Sequence, residues 1–150
     1  MQCLVLKFLE LSTTQLYDLL TLRAEVFVVE QDCPYLDLDG KDRHSETRHL
    51  LFVDEQQNLH AYSRVLAPKI TFDETSIGRV LVKESARGSG LAHRLMKQSI
   101  SLSQLLWVEH NIKISAQCYL IEFYQRHGFK VVSEMYLEDG LEHVEMLRLR

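Results

Sequence analysis

The run Val80-Leu81-Val82-Lys83-Glu84-Ser85-Ala86-Arg87-Gly88-Ser89-Gly90-Leu91-Ala92 reads as an apolar strand, a short polar loop, a glycine pair and the start of a helix. Glycines let the main chain approach a ligand with no Cβ in the way, and the first amides of a helix have no acceptor inside it. Together with the positive helix end, those amides suit a phosphate or pyrophosphate, and Arg87 can add a bidentate contact. The same run also reads as an ordinary glycine-containing strand-to-helix turn. Spacing excludes two other phosphate loops. Gly88-Ser89-Gly90-Leu91-Ala92-His93 lacks the third glycine or alanine of a dinucleotide fingerprint, and no G-K-[ST] follows. Neither NAD nor ATP is favoured.

Other chemistry-bearing residues stand apart from this loop. Arg23 falls on an apolar helical stripe, and Arg79 interrupts an apolar strand, so both need partners. Asp37 and Asp39 are candidates, either in a structural ion pair or beside a substrate. Asp37-Leu38-Asp39-Gly40-Lys41-Asp42 is no EF-hand, because its sixth and twelfth positions are Asp42 and Arg48. His44 and His49 complete no ligand set, so no metal is expected.

The elements that must position these residues follow from periodicity. A strand at Leu4 to Phe8 precedes the capping box Ser12 to Gln15, which opens a helix striped with Leu16, Leu19, Leu20, Ala24 and Phe27 and ending before Pro34. Leu50 to Val53 and Leu59 to Leu66 flank a polar turn as a hairpin, and Ile77 to Val82 forms the next strand. A helix carrying Leu91, Leu95, Leu102 and Leu105 leads to the strand Ile112 to Gln117. A short helix, Leu120 to His127, ends at Gly128, and strands Phe129 to Tyr136 and Leu141 to Leu149 close around an Asp-Gly turn. This order implies an α/β (α+β) fold: one largely antiparallel sheet with helices on its faces and a parallel pair where a helix joins two strands.

With 46% hydrophobic and 25% charged residues, the 150 residues fit one domain spanning 1–150. Lys and Arg number 17 against 21 Asp and Glu, a formal charge of −4, whereas a general nucleic-acid binder is strongly basic. No nucleic-acid partner is expected, and a cationic or small-molecule substrate suits the balance. Cys3, Cys33 and Cys118 show no C-x-x-C spacing, which points to reduced thiols. No run approaches the roughly 18 apolar residues of a membrane span, and no basic stretch precedes an apolar one at the start. The expectation is a cytoplasmic protein with no membrane partner.

A second segment, Phe123-Tyr124-Gln125-Arg126-His127-Gly128-Phe129, makes the pattern specific. Arg87-x-x-Gly90-x-Ala92 resembles the R/Q-x-x-G-x-G/A pyrophosphate signature of the GNAT acyltransferases, and Phe123-Tyr124 to Gly128-Phe129 resembles that superfamily's fourth-helix signature. Arg23-Ala24-Glu25-Val26-Phe27-Val28-Val29-Glu30-Gln31, Cys33-Pro34-Tyr35, Asp37-Leu38-Asp39-Gly40 and Ile77-Gly78-Arg79-Val80 resemble its ElaA-type branch. The order of elements matches from Leu4 to Leu149.

The resemblance implies the GNAT acyl-CoA N-acyltransferase fold, with acetyl-coenzyme A as co-substrate. Its pantetheine would pair with Val80, Leu81 and Val82 as an added strand does, opposite Ala116 and Gln117 across a splayed gap. The amides of Arg87, Gly88, Ser89, Gly90, Leu91 and Ala92 would hold the pyrophosphate, a backbone N–H near Leu81 would meet the acetyl oxygen, and Phe123 would line the site. Tyr124, a phenol of pKa about 10, would return a proton to the departing thiolate, unless it is simply a core tyrosine. The first-helix loop would border the acceptor pocket, bringing Arg23, Phe27, Asp39 and Arg79 to the substrate. The implied activity is transfer of acetyl to a primary amine of a small molecule or peptide by direct attack, and a homodimer is common in this fold. One departure stands out: Ile77 to Val82 carries no glutamate to serve as general base. Glu30, His49, His60 or a water chain must then serve. Two alternatives are an acyltransferase like the acyl-homoserine-lactone synthases and a non-catalytic acyl-coenzyme A sensor.

Overall fold

A computed structural model describes all 150 residues. Strand β1 (Gln2–Leu6) sits two residues earlier than its apolar run suggests, because Phe8–Glu10 winds into a 3-10 turn. Helix α1 (Thr13–Arg23) opens on the expected capping box: Ser12 Oγ accepts from the Gln15 amide at 3.1 Å, and Gln15 Oε1 from the Ser12 amide at 2.9 Å. Such a cap stabilises a helix by about 1 kcal/mol. The expected continuation to Pro34 is not α-helical. Ala24–Glu30 widens into a π-helix, with the Cys33 amide donating to the Val28 carbonyl, a winding concentrated at functional sites.

Strands β2 (Arg48–Val53), β3 (Leu59–Leu66) and β4 (Ser76–Val82) extend β1 into an antiparallel sheet ordered β1-β2-β3-β4. Its two central strands are covered on both faces; β2 reads as an apolar run from Leu50 to Val53, whereas β3 buries Ser63 and Arg64 within its run. Leu51, Val53, Tyr62 and Leu81 pack under α1 with Leu19 and Leu22. Leu50, Phe52, Ala61 and Val65 pack under helix α2 (Leu91–Leu106) on the other side. The α2 stripe differs from the expected one: Leu105 is 79% exposed, and Ser99 and Ser103 lie buried instead. Ser99 pairs with Ser63 at 2.8 Å and Ser103 with Thr75 at 2.7 Å, hydroxyl to hydroxyl. These pairings satisfy the polar groups and let the helix settle close to the sheet.

Strand β5 (Ile112–Gln117) begins a second antiparallel sheet, ordered β5-β8-β6, and α3 (Ile121–Gln125) packs beside it. The single strand expected from Phe129 to Tyr136 is two short ones, β6 (Lys130–Val131) and β7 (Tyr136–Glu138), both on the same edge of β8 (Leu141–Arg148). The ladder breaks because Ser133 Oγ takes the Glu145 amide in place of a backbone carbonyl. The expected parallel pair is reduced to one bridge, Thr75 to Ile112, at the start of β4 and β5. No further ladder bond joins them toward Val82 and Gln117, so the two sheets part there.

Candidate active site

The loop between β4 and α2 forms a cradle of unpaired amides. Gly88 and Gly90 take φ of 76° and 79°, the left-handed region where a side chain is strained. That reversal aims the chain into the first turn of α2. The amides of Gly88, Ser89, Gly90, Leu91, Ala92 and His93 find no acceptor in the chain, although Leu91 is buried and Ala92 packs against the core. A Cβ on either glycine would meet nothing within 4 Å, so this side of the loop is open. Main-chain donors at a helix start, open to solvent, fit an anion such as a diphosphate.

Arg87 lies beside this cradle but is engaged elsewhere. Its Nε donates to the Val82 carbonyl at 3.0 Å, and its Nη atoms grip the Glu30 carboxylate, Nη2 at 2.7 Å. Hydrogen bonding by Arg87 lowers the Glu30 pKa, so this carboxylate is a weak proton acceptor. The next residue, Gln31, exchanges amide hydrogen bonds of 3.4 and 3.3 Å with Gln117 at the end of β5. The end of the π-helix therefore touches both sides of the parting between the sheets.

Along β4 the side chains alternate. Val82 enters the α2 core, Leu81 the α1 core, and Val80 is half-buried. Tyr62 pairs with Leu81 and Arg64 with Gly78, so Ser63 alone faces Arg79 and Val80. This is a β-bulge, with Arg79 at φ 52°, and it re-aims the amides next to Leu81. Across the parting, Ala116 is buried in the core. Tyr124 packs edge-on to Phe123 and Phe129, and no hydrogen bond within the chain holds its hydroxyl. Burial pushes its pKa up, so it stays a proton donor at neutral pH.

The arginines expected beside the acceptor form a buried web in which Arg64 Nε is left without a partner. Arg23 is fully buried, donating from Nε to Asp37 Oδ2 and from Nη1 to Asp42 Oδ1, both at 2.7 Å. Arg79 Nε reaches Asp37 Oδ1 at 2.7 Å and its Nη2 the Asp37 carbonyl at 2.9 Å, while Tyr35 donates to the same carboxylate at 2.8 Å. Arg64 binds Asp39 through two bonds of 2.8 Å and Asp42 at 2.9 Å. Burial alone would raise the Asp39 and Asp42 carboxyls, but Arg64 and Arg23 outweigh it and hold both below the usual range. Three arginines face three aspartates, and the web is neutral.

Several expected roles change accordingly. Arg23 has no surface toward a substrate, and its second partner is Asp42, not Asp39. Asp39 and Arg79 keep partly exposed side chains, 26% and 22%, at the rim of the web. Phe27 packs half-buried against the α1 core. His49 is fully buried. Its Nε2 lies 3.0 Å from the Asp42 carbonyl and its Nδ1 2.7 Å from the Tyr62 hydroxyl. Burial pushes its pKa down, and neither nitrogen is free for an amine. His60 is bound to Asp54 at 2.9 Å beside the β2–β3 turn. Sequence reasoning passed over Arg64 and Asp42. The signal for Arg64 was the one that singled out Arg79, a lone charge within an apolar strand. It also passed over His143, which lies 3.3 Å from Glu138 across the Asp-Gly hairpin.

Two sheets joined at one end and parted at the other, with a helix-start amide cradle beside the parting, define an acyl-coenzyme A N-acyltransferase. Residues 25–149 match the acetyltransferase (GNAT) domain family. The chain is 42% identical over 139 residues to protein ElaA of Escherichia coli (strain K12), covering 93% of this chain and 90% of that protein. The fold superimposes on an acyl-CoA N-acyltransferase from Pseudomonas aeruginosa with a TM-score of 0.93 at 40% identity, covering 99% of both chains. Escherichia coli ElaA superimposes with a TM-score of 0.92, also at 40% identity and 99% coverage of both. The chain belongs to the GNAT acetyltransferase family, in its ElaA-type branch.

Proposed function

We propose that the chain acts as a single GNAT domain that acetylates a primary amine, using acetyl-coenzyme A in direct attack without an acyl-enzyme. The observation that carries this reading is the row of six unpaired amides from Gly88 to His93 beside the parted ends of β4 and β5. In this reading the amides hold the diphosphate, and the edge along Val80 to Val82, where Arg87 donates to the Val82 carbonyl, and the edge near Ala116 and Gln117 take the pantetheine between them. The bulge at Arg79 and Val80 aims a backbone N–H at the thioester oxygen as it gains charge. Tyr124 donates its proton to sulfur as the C–S bond breaks. The same fold serves a spermidine N-acetyltransferase from Vibrio cholerae, with a TM-score of 0.70 at 15% identity and coverage of 99% and 95%. A small-molecule or peptide amine is the acceptor class we favour. No helix is long and apolar enough to cross a membrane, which is compatible with a cytoplasmic location.

Calorimetry with coenzyme A, paired with a thiol-release assay over a panel of primary amines, tests the reading. A carboxylate placed at the cradle by Ser89→Asp should weaken coenzyme A binding about tenfold, since a charge at a helix start is worth up to about 2 kcal/mol. Undiminished binding would remove the cradle from the argument. Binding without thiol release from any amine would favour the sensor alternative.

A further inference from the structure

The face of the second sheet that looks toward Gln31 carries an ordered set of polar side chains that neither the cradle nor the arginine web uses. In an antiparallel ladder, directly paired residues share a face. His143 on β8 pairs with Gln117 on one side and with Tyr136 on the other, and Gln117 is the residue that meets Gln31. Ser115, two residues before Gln117, shares this face and is hydrogen-bonded to the Tyr136 hydroxyl. Tyr136 stacks on the His143 ring at 6.1 Å between centroids. Cys33 Sγ donates to the Asp139 carbonyl, so the chain after the π-helix crosses over the hairpin tip beside His143. His143 thus lies one strand away from the proposed pantetheine edge, beneath the loop assigned to the acceptor.

One hydrogen bond and one charged neighbour set the chemistry of the ring. Nδ1 lies 2.8 Å from the Leu141 carbonyl, which can only accept, so Nδ1 carries the hydrogen. In the neutral ring Nε2 is then the basic nitrogen, and the Glu138 carboxylate stands 3.3 Å from it. A proton arriving on Nε2 therefore has a negatively charged neighbour. The ring is buried and Glu138 is half exposed, so the proton has a route outward along the hairpin. Glu138 and Tyr136 on β7 face the ring, the Cys33 thiol lies over the hairpin tip, and Gln117 on β5 is neutral.

We propose that His143, oriented by Leu141 and Glu138, is the proton acceptor for the attacking amine, directly or through one water. This rests on the amine-acetylation reading above. Nε2 takes a proton from the ammonium, and the freed lone pair attacks the thioester carbonyl. The C–N bond forms, the C–S bond breaks, and sulfur leaves with a proton. Of the two protons that nitrogen sheds, one leaves through His143 to solvent and the other replaces the proton that Tyr124 gives to sulfur.

The test uses acetyl-coenzyme A with spermidine, lysine and a lysine-containing peptide as probes. His143→Ala and His143→Gln should lower kcat by about 10²-fold, with coenzyme A affinity by calorimetry unchanged. Added imidazole should restore part of the His143→Ala rate, which a packing role would not allow. Nitrogen NMR of the wild-type ring should report the hydrogen on Nδ1. Unchanged kcat in the His143 variants, or a hydrogen on Nε2, overturns the proposal. If those variants do not fold, Glu138→Gln on the exposed arm decides: kcat should fall about tenfold at unchanged amine KM, and an unaltered kcat refutes the assignment. Thiol release from no probe by wild type that binds coenzyme A overturns the transferase reading, and the base with it; release that survives loss of His143 overturns the base alone.

Discussion

Replacing Arg23 with methionine removes a positive charge from the interior without leaving a large hole. Arg23 is fully buried, and its two shortest bonds, each 2.7 Å, go to different aspartates. Without it the web holds two arginines and three aspartates, a net charge of −1 where none was present. Breaking one partner from a buried pair costs about 3 to 5 kcal/mol. Here the lower end applies, because Asp37 keeps Arg79 and Tyr35 and Asp42 keeps Arg64. A loss of about 3 kcal/mol corresponds to a fall of roughly 6 to 12 °C in Tm for a chain of this size. Urea unfolding at neutral pH reads the loss directly. Adding Asp42→Asn restores neutrality and should recover part of the stability, so the two changes are not additive. The deficit should also narrow as pH falls toward about 4, where a carboxylate left with fewer partners takes a proton most readily. A loss below about 1 kcal/mol, or full additivity, would refute the view of this web as a desolvated charge balance.

Other outcomes follow from the same geometry. Tyr124→Phe should lower kcat about 10²-fold while leaving coenzyme A affinity intact, because the hydroxyl has no structural partner to lose; equal turnover would remove its proposed role. Glu30→Gln frees Arg87 for an anion and should tighten coenzyme A up to about fivefold, the scale of an exposed ion pair, as titration calorimetry would show. Wild-type stability should fall on acidification. The Asp39 and Asp42 carboxyls sit below their unfolded values, so their contribution is complete above about pH 4 and is lost as pH drops through the folded values. Denaturant midpoints recorded from pH 7 down to pH 3 check this, and a flat profile would contradict it.

The order of strands and helices was legible from local signals: Ser12 and Gln15 cap α1, and the runs at Leu50 to Val53 and Leu59 to Leu66 flank a polar turn. The cradle was legible because glycines at 88 and 90 leave few backbone options. Local pattern could not show what depends on distant partners. The seam between β4 and β5 arises from pairing that is absent, which no residue type encodes. Ser99 and Ser103 look polar in sequence and are buried only because Ser63 and Thr75 meet them. His49 looked available because its two partners come from other elements. His143 and Glu138 become neighbours only once the Asp-Gly turn folds their strands together.

The single bridge at Thr75 and Ile112 leaves two strand borders that lie in the middle of the molecule and not at its rim. Free borders invite pairing with any extended chain, and proteins commonly blunt them with charge or proline. Here Val80, Leu81 and Val82 are apolar, and the charge on this border is Arg87, whose Nε donates to the Val82 carbonyl. Behind this border lies α2 and in front of it the Glu30–Gln31 crossing, so an extended chain reaches it only between the two. Selectivity against self-association and selectivity for a thin thioester carrier would then have the same geometric origin.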